Sequence, residues 1–259
     1  MTAKIALRGV TKSFPIGREH LLAVDAIDLD VQAGEFVTLV GPSGCGKSTL
    51  LDLISGLTKP TSGAILLDGE PITGPGLDRG VVFQQYALFP WRTALSNVAF
   101  GLETKGVGRR ERLERARDVL DLVGLSAFAD RYPHQLSGGM KQRVAIARSL
   151  AYEPEVLLMD EPYAALDAQT RELLQDQLLD IWQRTSTTVL FITHGIDEAV
   201  YLGQRVAVMT SRPGRIKQIV DIDLPRTEDL RSTPEFAAQR HAVWELLRDE
   251  IRGIETKVA

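Results

Sequence analysis

Short apolar runs recur along the chain and predict strands of two kinds. Residues 35–40, 155–161 and 188–193 are nearly continuous apolar stretches, which are typical of strands buried on both faces. Residues 5–12 and 27–31 alternate apolar and polar positions, as half-buried antiparallel strands do. Further strands are predicted at residues 65–67, 81–83, 205–210 and 216–222.

Helical periodicity falls between these strands. Residues 48–55 predict a helix that stops at Gly56, and residues 109–123 predict an amphipathic helix that stops at Gly124. Glycine, proline and polar residues between the predicted elements indicate turns at 14–20, 58–63, 68–69 and 212–215. Two further helices are expected, one opened by residues 136–143 that runs on through 150, and one at 234–251 with Phe236, Val243, Leu247 and Ile251 toward one side. Strands that alternate with helices in this way indicate an α/β fold.

Composition narrows the class of protein. The chain has 259 residues, of which 44% are hydrophobic and 25% are charged, so it can bury a full core as one domain. A net charge of −4 and a pI near 5.7 argue against a broad basic surface for nucleic acid. No apolar run approaches the roughly 18 to 20 residues that span a bilayer, and residues 1–10 lack a signal-peptide core. We expect a cytoplasmic protein whose membrane contact runs through a partner.

Residues 41–49 match the phosphate-loop pattern G-x-x-x-x-G-K-[ST] between a predicted strand and a predicted helix. Glycines let the backbone N–H groups approach phosphate oxygens, and the helix directs its positive end at the same anion. Lys47 is expected to reach the β- and γ-phosphates and the Ser48 hydroxyl to ligate Mg²⁺. The expected nucleotide-binding residues of this loop are Gly41, Pro42, Ser43, Gly44, Cys45, Gly46, Lys47, Ser48 and Thr49.

Cys45 is the one cysteine of the chain, which rules out an internal disulfide. It is either a small residue that fills space or a thiol activated by Lys47 and the helix N-terminus. The second interpretation predicts that bound ATP blocks thiol alkylation.

Polar residues at strand ends supply the remaining chemistry. Asp160 is suited to hold Mg²⁺, and Glu161 to orient and deprotonate an attacking water. Gln84 follows the strand at 81–83, where it can reach a metal or a water, and His194 is a candidate γ-phosphate contact. The other three histidines, His20, His134 and His241, lack such a context and are expected to be surface or packing residues.

Four further features can be interpreted from their local sequence. Ser137 is a good N-cap, and Gly138 and Gly139 behind it expose N–H groups at a helix start, which is either an ordinary capped helix or, as the two glycines favour, a candidate second anion site. Asp167 is an expected cap of the next helix. Phe14 is a core residue or a platform for an adenine ring, with spacing alone favouring the core. An aromatic loop is an internal anchor or a partner site; its members are Tyr86, Phe89, Pro90 and Trp91.

These motifs, in this order and spacing from about residue 5 to 225, closely resemble the nucleotide-binding subunit of ABC transporters. The resemblance implies that Phe14 stacks on adenine and that Gln84 senses the γ-phosphate, Mg²⁺ and a membrane partner. It places Ser137, Gly138 and Gly139 on the signature that contacts ATP bound to an opposite subunit, and His194 on the switch histidine. Two copies would pair head to tail around two ATP molecules.

The implied fold is a phosphate-loop, RecA-like α/β domain with an antiparallel β subdomain. It would form one domain over residues 1–259, with a helical subdomain at about 86–152 and a C-terminal helical extension at about 226–259. The chain departs from the family pattern at Met140, Tyr163, Ala164 and Gly195. None of these departures removes a catalytic group.

Residues 74–80, 88–92 and 212–215 are similar to the nitrate, sulfonate and taurine branch of bacterial importers. We therefore expect an ATPase motor that drives uptake of a small anion, on the cytoplasmic face of the bacterial inner membrane. Its implied partners are a membrane permease and, indirectly, a solute-binding protein, with no nucleic acid. The alternatives are a non-transport ABC ATPase of DNA repair or translation, and a phosphate-loop kinase.

Overall fold

The computed structural model describes the backbone of residues 3–227 and 229–258 and the side chains of residues 3–227 and 229–250. The strands are β1 (Ile5–Ile16), β2 (Glu19–Val31), β3 (Phe36–Val40), β4 (Ser62–Leu67), β5 (Glu70–Pro71), β6 (Arg79–Val82), β7 (Val156–Asp160), β8 (Thr188–Thr193), β9 (Arg205–Met209) and β10 (Ile216–Asp221). The helices are α1 (Lys47–Ser55), α2 (Ala94–Val98), α3 (Phe100–Thr104), α4 (Arg109–Leu122), α5 (Gly138–Leu150), α6 (Ala168–Thr185), α7 (Ile196–Leu202) and α8 (Pro234–Val258).

The chain divides into two compact units. The first consists of two segments, the residues up to Pro75 and those from Thr188 onward, and the second is the segment Gly76–Thr187. In the first unit, β1 and β2 form an antiparallel hairpin that continues through β4 to β5. The turn predicted at 14–20 is wrong, because Phe14 pairs with Leu21 and Ile16 with Glu19. Only Gly17 and Arg18 lie between the strands, and Gly17 has the positive φ of 62° that a two-residue turn requires.

The first unit also contains four strands of a mixed sheet, in the order β10, β9, β3, β8. β3 pairs in parallel with β8 on one side and β9 on the other, and all of its residues are buried. This environment explains why the predicted strand at 35–40 is a continuous apolar run. Helix α1 follows β3 and ends at Gly56, as predicted.

The second unit pairs β6 with β7 in parallel and carries α2 to α6. Ala116, Leu120 and Val123 form a buried face of α4, as the periodicity predicts, whereas Leu113 is half-buried. Val123 caps this helix, and Gly124 follows it with a φ of 67°. Among the described residues, no helix is long and apolar enough to cross a membrane.

Two predicted N-caps are confirmed in this unit. The Ser137 hydroxyl accepts the Met140 N–H at 3.3 Å and caps α5. The Asp167 carboxylate accepts the Thr170 N–H at 3.0 Å and caps α6. The Thr170 backbone hydrogen bond lowers the pKa of Asp167, because it favours the ionised carboxylate.

The C-terminal helix is longer than predicted. α8 runs from Pro234 to Val258, past the expected end at 251. Phe236, Val243 and Leu247 are buried, as the spacing predicts. Ile251 lies outside the described side chains. The short helices α2, α3 and α7 were not individually predicted, because five to seven residues carry too little periodicity.

Asn97 provides a test of the second unit. Its side chain is 0% exposed, accepts the Phe89 N–H at 2.8 Å and donates to the carbonyls of Phe89, Arg92 and Thr93 at 3.0–3.2 Å. Replacing Asn97 with Ala removes the side-chain partner of the Phe89 N–H and of the Arg92 carbonyl in a half-buried loop, so the free energy of unfolding in urea should fall by about 3 kcal/mol. The control is the half-buried neighbour Ser96. Ser96→Ala should change the free energy of unfolding by less than about 0.5 kcal/mol. Equal losses in the two variants would contradict the anchoring role of Asn97.

Candidate functional site

The loop between β3 and α1 has the backbone geometry of an anion cradle. Gly44 and Gly46 have φ values of 75° and 103°, in the left-handed region that favours glycine. A Cβ at Gly46 would lie 2.6 Å from Val24 Cγ1, so a side chain there would also clash. α1 begins without a side-chain cap, which leaves its first N–H groups for a ligand to satisfy. The loop therefore fits a phosphate group.

Lys47 is oriented into this loop by its own backbone. The side chain is 6% exposed, and its ammonium donates to the carbonyls of Gly41 at 2.8 Å and Pro42 at 3.1 Å. Cys45 is 1% exposed, and its Sγ lies 4.0 Å from the Lys47 Nζ. Labelling of this thiol therefore requires the loop to open, and protection by ATP remains a prediction.

His194 follows β8 as the glycine loop follows β3. Val40 pairs with Thr193 in the parallel register, so Gly41 and His194 leave neighbouring strands at the same level. The His194 side chain is exposed. Behind it, the Thr193 hydroxyl accepts the Gly195 N–H at 2.9 Å and donates to the Glu198 carboxylate. Thr193 and Glu198 thus fix the turn that presents His194.

A contact that the sequence did not predict supports the glycine loop from behind. The turn at 212–215 approaches it so closely that a Cβ at Gly214 would lie 2.0 Å from the Cys45 carbonyl oxygen. Arg215 holds this turn to β2 through Asp25, with Nε and Oδ2 at 3.0 Å. In the sequence, Gly214 is a glycine between two predicted strands. Glycine is common in such turns, so its presence does not indicate which residues the turn contacts.

Phe14 is not a core residue. It lies in β1, is 36% exposed, and has the Lys12 ammonium 5.0 Å from its ring centroid. An exposed ring with a cation at its face suits a stacked, negatively charged nucleotide. The adenine contact itself remains a prediction.

The second unit brings three predicted residues to one edge. Val82 pairs with Met159 in the parallel register of β6 and β7, so Gln84 and Glu161 emerge at the same level beyond the strand ends. Asp160 is the last residue of β7, and Glu161 follows with a φ of 42°. A non-glycine residue in this left-handed region is held there by its surroundings, a pattern that clusters at functional sites.

The glycines behind Ser137 lie against other residues of the second unit. A Cβ at Gly138 would lie 3.2 Å from the Tyr86 hydroxyl, and one at Gly139 would lie 2.9 Å from Thr170 Cγ2. Ser137 is exposed at the helix start. Close packing therefore explains why the first turn of α5 tolerates two residues of low helix propensity.

The expected magnesium ligands are a hydroxyl, an amide and a carboxylate, from Ser48, Gln84 and Asp160. These are hard oxygen donors, and Mg²⁺ completes its shell with water and phosphate oxygens. Among the described residues, no group of three His, Cys, Asp or Glu side chains could hold a metal ion.

The family model described as ABC transporter matches residues 24–164. This chain belongs to the ABC transporter ATP-binding family. An ABC transporter ATP-binding protein of Methanocaldococcus jannaschii is 57% identical, covering 97% of this chain and 94% of the relative. The nitrate import ATP-binding protein of a Synechocystis species is 52% identical, covering 93% of this chain and 92% of the relative. The taurine import ATP-binding protein of Rhizobium johnstonii is 50% identical, covering 90% of this chain and 88% of the relative.

The fold agrees with a solved ABC cassette. A dimeric ATP-binding cassette in a post-hydrolysis state with ADP and phosphate matches with a TM-score of 0.75 and 37% identity, over 84% of this chain and 98% of that one. The predicted phosphate-loop α/β fold is confirmed, as is the family. As an ABC ATP-binding protein, this chain is an ATPase that uses ATP with Mg²⁺. None of these matches supports a non-transport ABC protein or a kinase.

The contact between Gly214 and the glycine loop yields a prediction. Gly214→Ala should lower the free energy of unfolding by about 2 kcal/mol, because the added methyl overlaps backbone that cannot move aside. It should also weaken ATP binding by displacing Cys45. Urea unfolding and titration with a fluorescent ATP analogue measure both effects.

Gly74→Ala is the matched control. A Cβ at Gly74 meets nothing within 4 Å, and its φ lies outside the left-handed region. Its stability should change by less than about 0.5 kcal/mol. Wild-type ATP affinity in Gly214→Ala would show that this turn does not support the loop.

Proposed function

We propose that this protein is the ATP-hydrolysing motor subunit of a bacterial ABC importer, energising uptake of a small anion such as taurine, an alkanesulfonate or nitrate. The observation that carries the motor assignment is the pairing of Val40 with Thr193, which sets the phosphate loop beside His194. The import assignment is supported by relatives named for nitrate and taurine import. The proposed unit is one ATPase domain over residues 1–259, with a helical subdomain at 86–152 and a C-terminal extension at 226–259.

In this proposal the glycine loop binds the phosphates of ATP. Lys47 exchanges its two carbonyl partners for β- and γ-phosphate oxygens, and the N–H groups of residues 41–49 surround the anion. Phe14 offers its exposed ring to the adenine. His194 contacts the γ-phosphate from the end of the neighbouring strand.

Hydrolysis uses residues from the ends of β6 and β7. Glu161 takes a proton from water as the water oxygen attacks the γ-phosphorus, and the bond to the ADP oxygen breaks. Ser48, Asp160 and Gln84 would hold Mg²⁺, which supplies positive charge to the phosphate oxygens when bound. The Met140, Tyr163, Ala164 and Gly195 departures leave these groups intact.

Two copies would pair head to tail, so that Ser137, Gly138 and Gly139 of one contact ATP bound by the other. The dimeric cassette structures among the matches support this arrangement. Ser137 is exposed at the N-terminus of a thirteen-residue helix, where its hydroxyl and nearby N–H groups favour an anion.

The permease would contact the loop at residues 84–91. Trp91 is 72% exposed there and packs 5.7 Å from Phe89, which makes an apolar surface that suits a partner helix. The protein would lie peripherally on the cytoplasmic face of the bacterial inner membrane. A solute-binding protein outside would select the anion and deliver it to the permease.

Glu161→Gln separates binding from hydrolysis. The amide keeps the shape of the side chain but cannot take a proton, so turnover should fall by about a hundredfold or more while ATP still binds. The trapped dimer should appear in light scattering with ATP and Mg²⁺. Hydrolysis at the wild-type rate would rule out Glu161 as the base.

Lys47→Ala, unlike Glu161→Gln, should impair ATP binding as well as hydrolysis. It removes the cation beside the phosphates, so ATP affinity and turnover should both fall and no dimer should accumulate. Unchanged affinity would contradict the role given to Lys47.

A deletion strain tests the physiological proposal. It should fail to grow with taurine or an alkanesulfonate as sole sulfur source, or with nitrate as sole nitrogen source, and recover with the wild-type gene. Complementation by Glu161→Gln should fail, which links growth to hydrolysis. Normal growth of the deletion strain on all three nutrients would exclude these cargoes as obligate substrates.

A further inference from the structure

The loop that follows β6, residues 83–93, carries Gln84 and is called the Gln84 loop below. Its far end is anchored by the buried Asn97, which bonds to the backbone of Phe89, Arg92 and Thr93. The Phe89 ring also packs against Phe100, with centroids 4.7 Å apart. This anchor holds the loop after residue 88 but does not reach Gln84.

A second anchor holds the part nearer to Gln84. Arg148, on α5, donates through Nη1 to the Ala87 carbonyl at 2.5 Å and through Nη2 to the Tyr86 carbonyl at 3.1 Å. Its guanidinium also lies 5.8 Å from the centroid of the Phe89 ring. One side chain thus binds two successive carbonyls and an aromatic ring of the same loop.

The bound carbonyls belong to residues in an unfavourable conformation. Tyr86 has a φ of 34° and Ala87 a φ of 49°, both in the left-handed region that residues with a Cβ seldom adopt. Such a pair persists when surrounding contacts determine it. The planar guanidinium donates in two fixed directions, whereas a lysine ammonium on a flexible stem cannot reproduce this fork.

The environment of Arg148 supports a fixed geometry. Burial lowers the pKa of Arg148, because it removes water from the charged form. A partly buried cation needs oriented acceptors, and the two carbonyls provide them.

Tyr86 also reaches the other end of α5. Its hydroxyl lies 3.2 Å from the position of a Cβ on Gly138, in the first turn of the helix. Gly138 and Arg148 are ten residues apart on α5, which corresponds to about 15 Å of helix. The Gln84 loop therefore touches this helix both at its N-terminal turn and near its C-terminal end.

We propose that Arg148 is a positioning residue that fixes the Gln84 loop to the helix opened by Ser137, so that Gln84 and the residues 137–139 move as one piece. The structural part of this inference stands on the contacts of Arg148 alone. Its consequence for hydrolysis rests on the proposed function. Because the contacts that carry this inference are made to the Gln84 loop, the loss of Arg148 should affect turnover more than nucleotide binding.

The test is Arg148→Lys in the full-length protein, which keeps the charge and loses the fork. Arg143→Lys is the matched control, because Arg143 lies on the same helix and donates to the Val123 carbonyl at 3.3 Å instead. Hydrogen exchange followed by mass spectrometry measures the peptide over residues 83–93. Steady-state ATPase assays give kcat and KM for ATP.

Exchange in the Gln84 loop should rise about tenfold in Arg148→Lys and stay at the wild-type level in Arg143→Lys. kcat should fall about tenfold in Arg148→Lys, with KM within about twofold of wild type. Unchanged exchange, or an equal rise in both variants, would overturn the anchor. Faster exchange with unchanged kcat, or a loss shared equally by kcat and ATP affinity, would overturn the positioning role. A wild-type protein without ATPase activity would refute the proposed function instead, and the exchange comparison would still decide the anchor.

Discussion

The parallel pairing of Val40 with Thr193 sets the geometry on which the nucleotide-binding residues of the first unit depend. Both strands are buried along their length, so a one-residue slip would move every side chain to the opposite face and disrupt the packing on both faces of the sheet. Burial thereby fixes where each strand ends, and the residues just beyond inherit that alignment. The same reasoning applies to β6 and β7, whose register brings Gln84 and Glu161 to one edge.

Much of the fold could be predicted because its signals are local. A nearly continuous apolar run gave β8 its observed bounds, and Gly56 ended α1 where expected. The Ser137 and Asp167 caps were also predictable, since a capping side chain binds an N–H group only three residues away. The hairpin of β1 and β2 extended past the predicted turn, because pairing between strands, and not alternation within one, holds its exposed end together.

In the candidate site, too, the features that depend on local sequence could be predicted and those that depend on distant residues could not. Its chemical groups were predicted from motifs, in which the residue types stand at fixed spacings. Their supports were missed, because Gly214 against Cys45 and Arg148 against Ala87 join residues far apart in the chain. A single sequence carries no record of such contacts. Phe14 is a third case: it was placed in a turn and its spacing favoured the core, whereas it lies in β1 with an exposed ring.

The carbonyl partners of Lys47 have a consequence for ligand selection. Folding has already removed water from this ammonium and replaced it with two main-chain dipoles. A ligand therefore competes with neutral oxygens at contact distance, and a full negative charge is what outmatches them. The glycine loop thus selects ligands by charge before it selects them by shape. A nucleoside without phosphates has no negatively charged oxygen that could replace the two carbonyls at Lys47, however well its base fits.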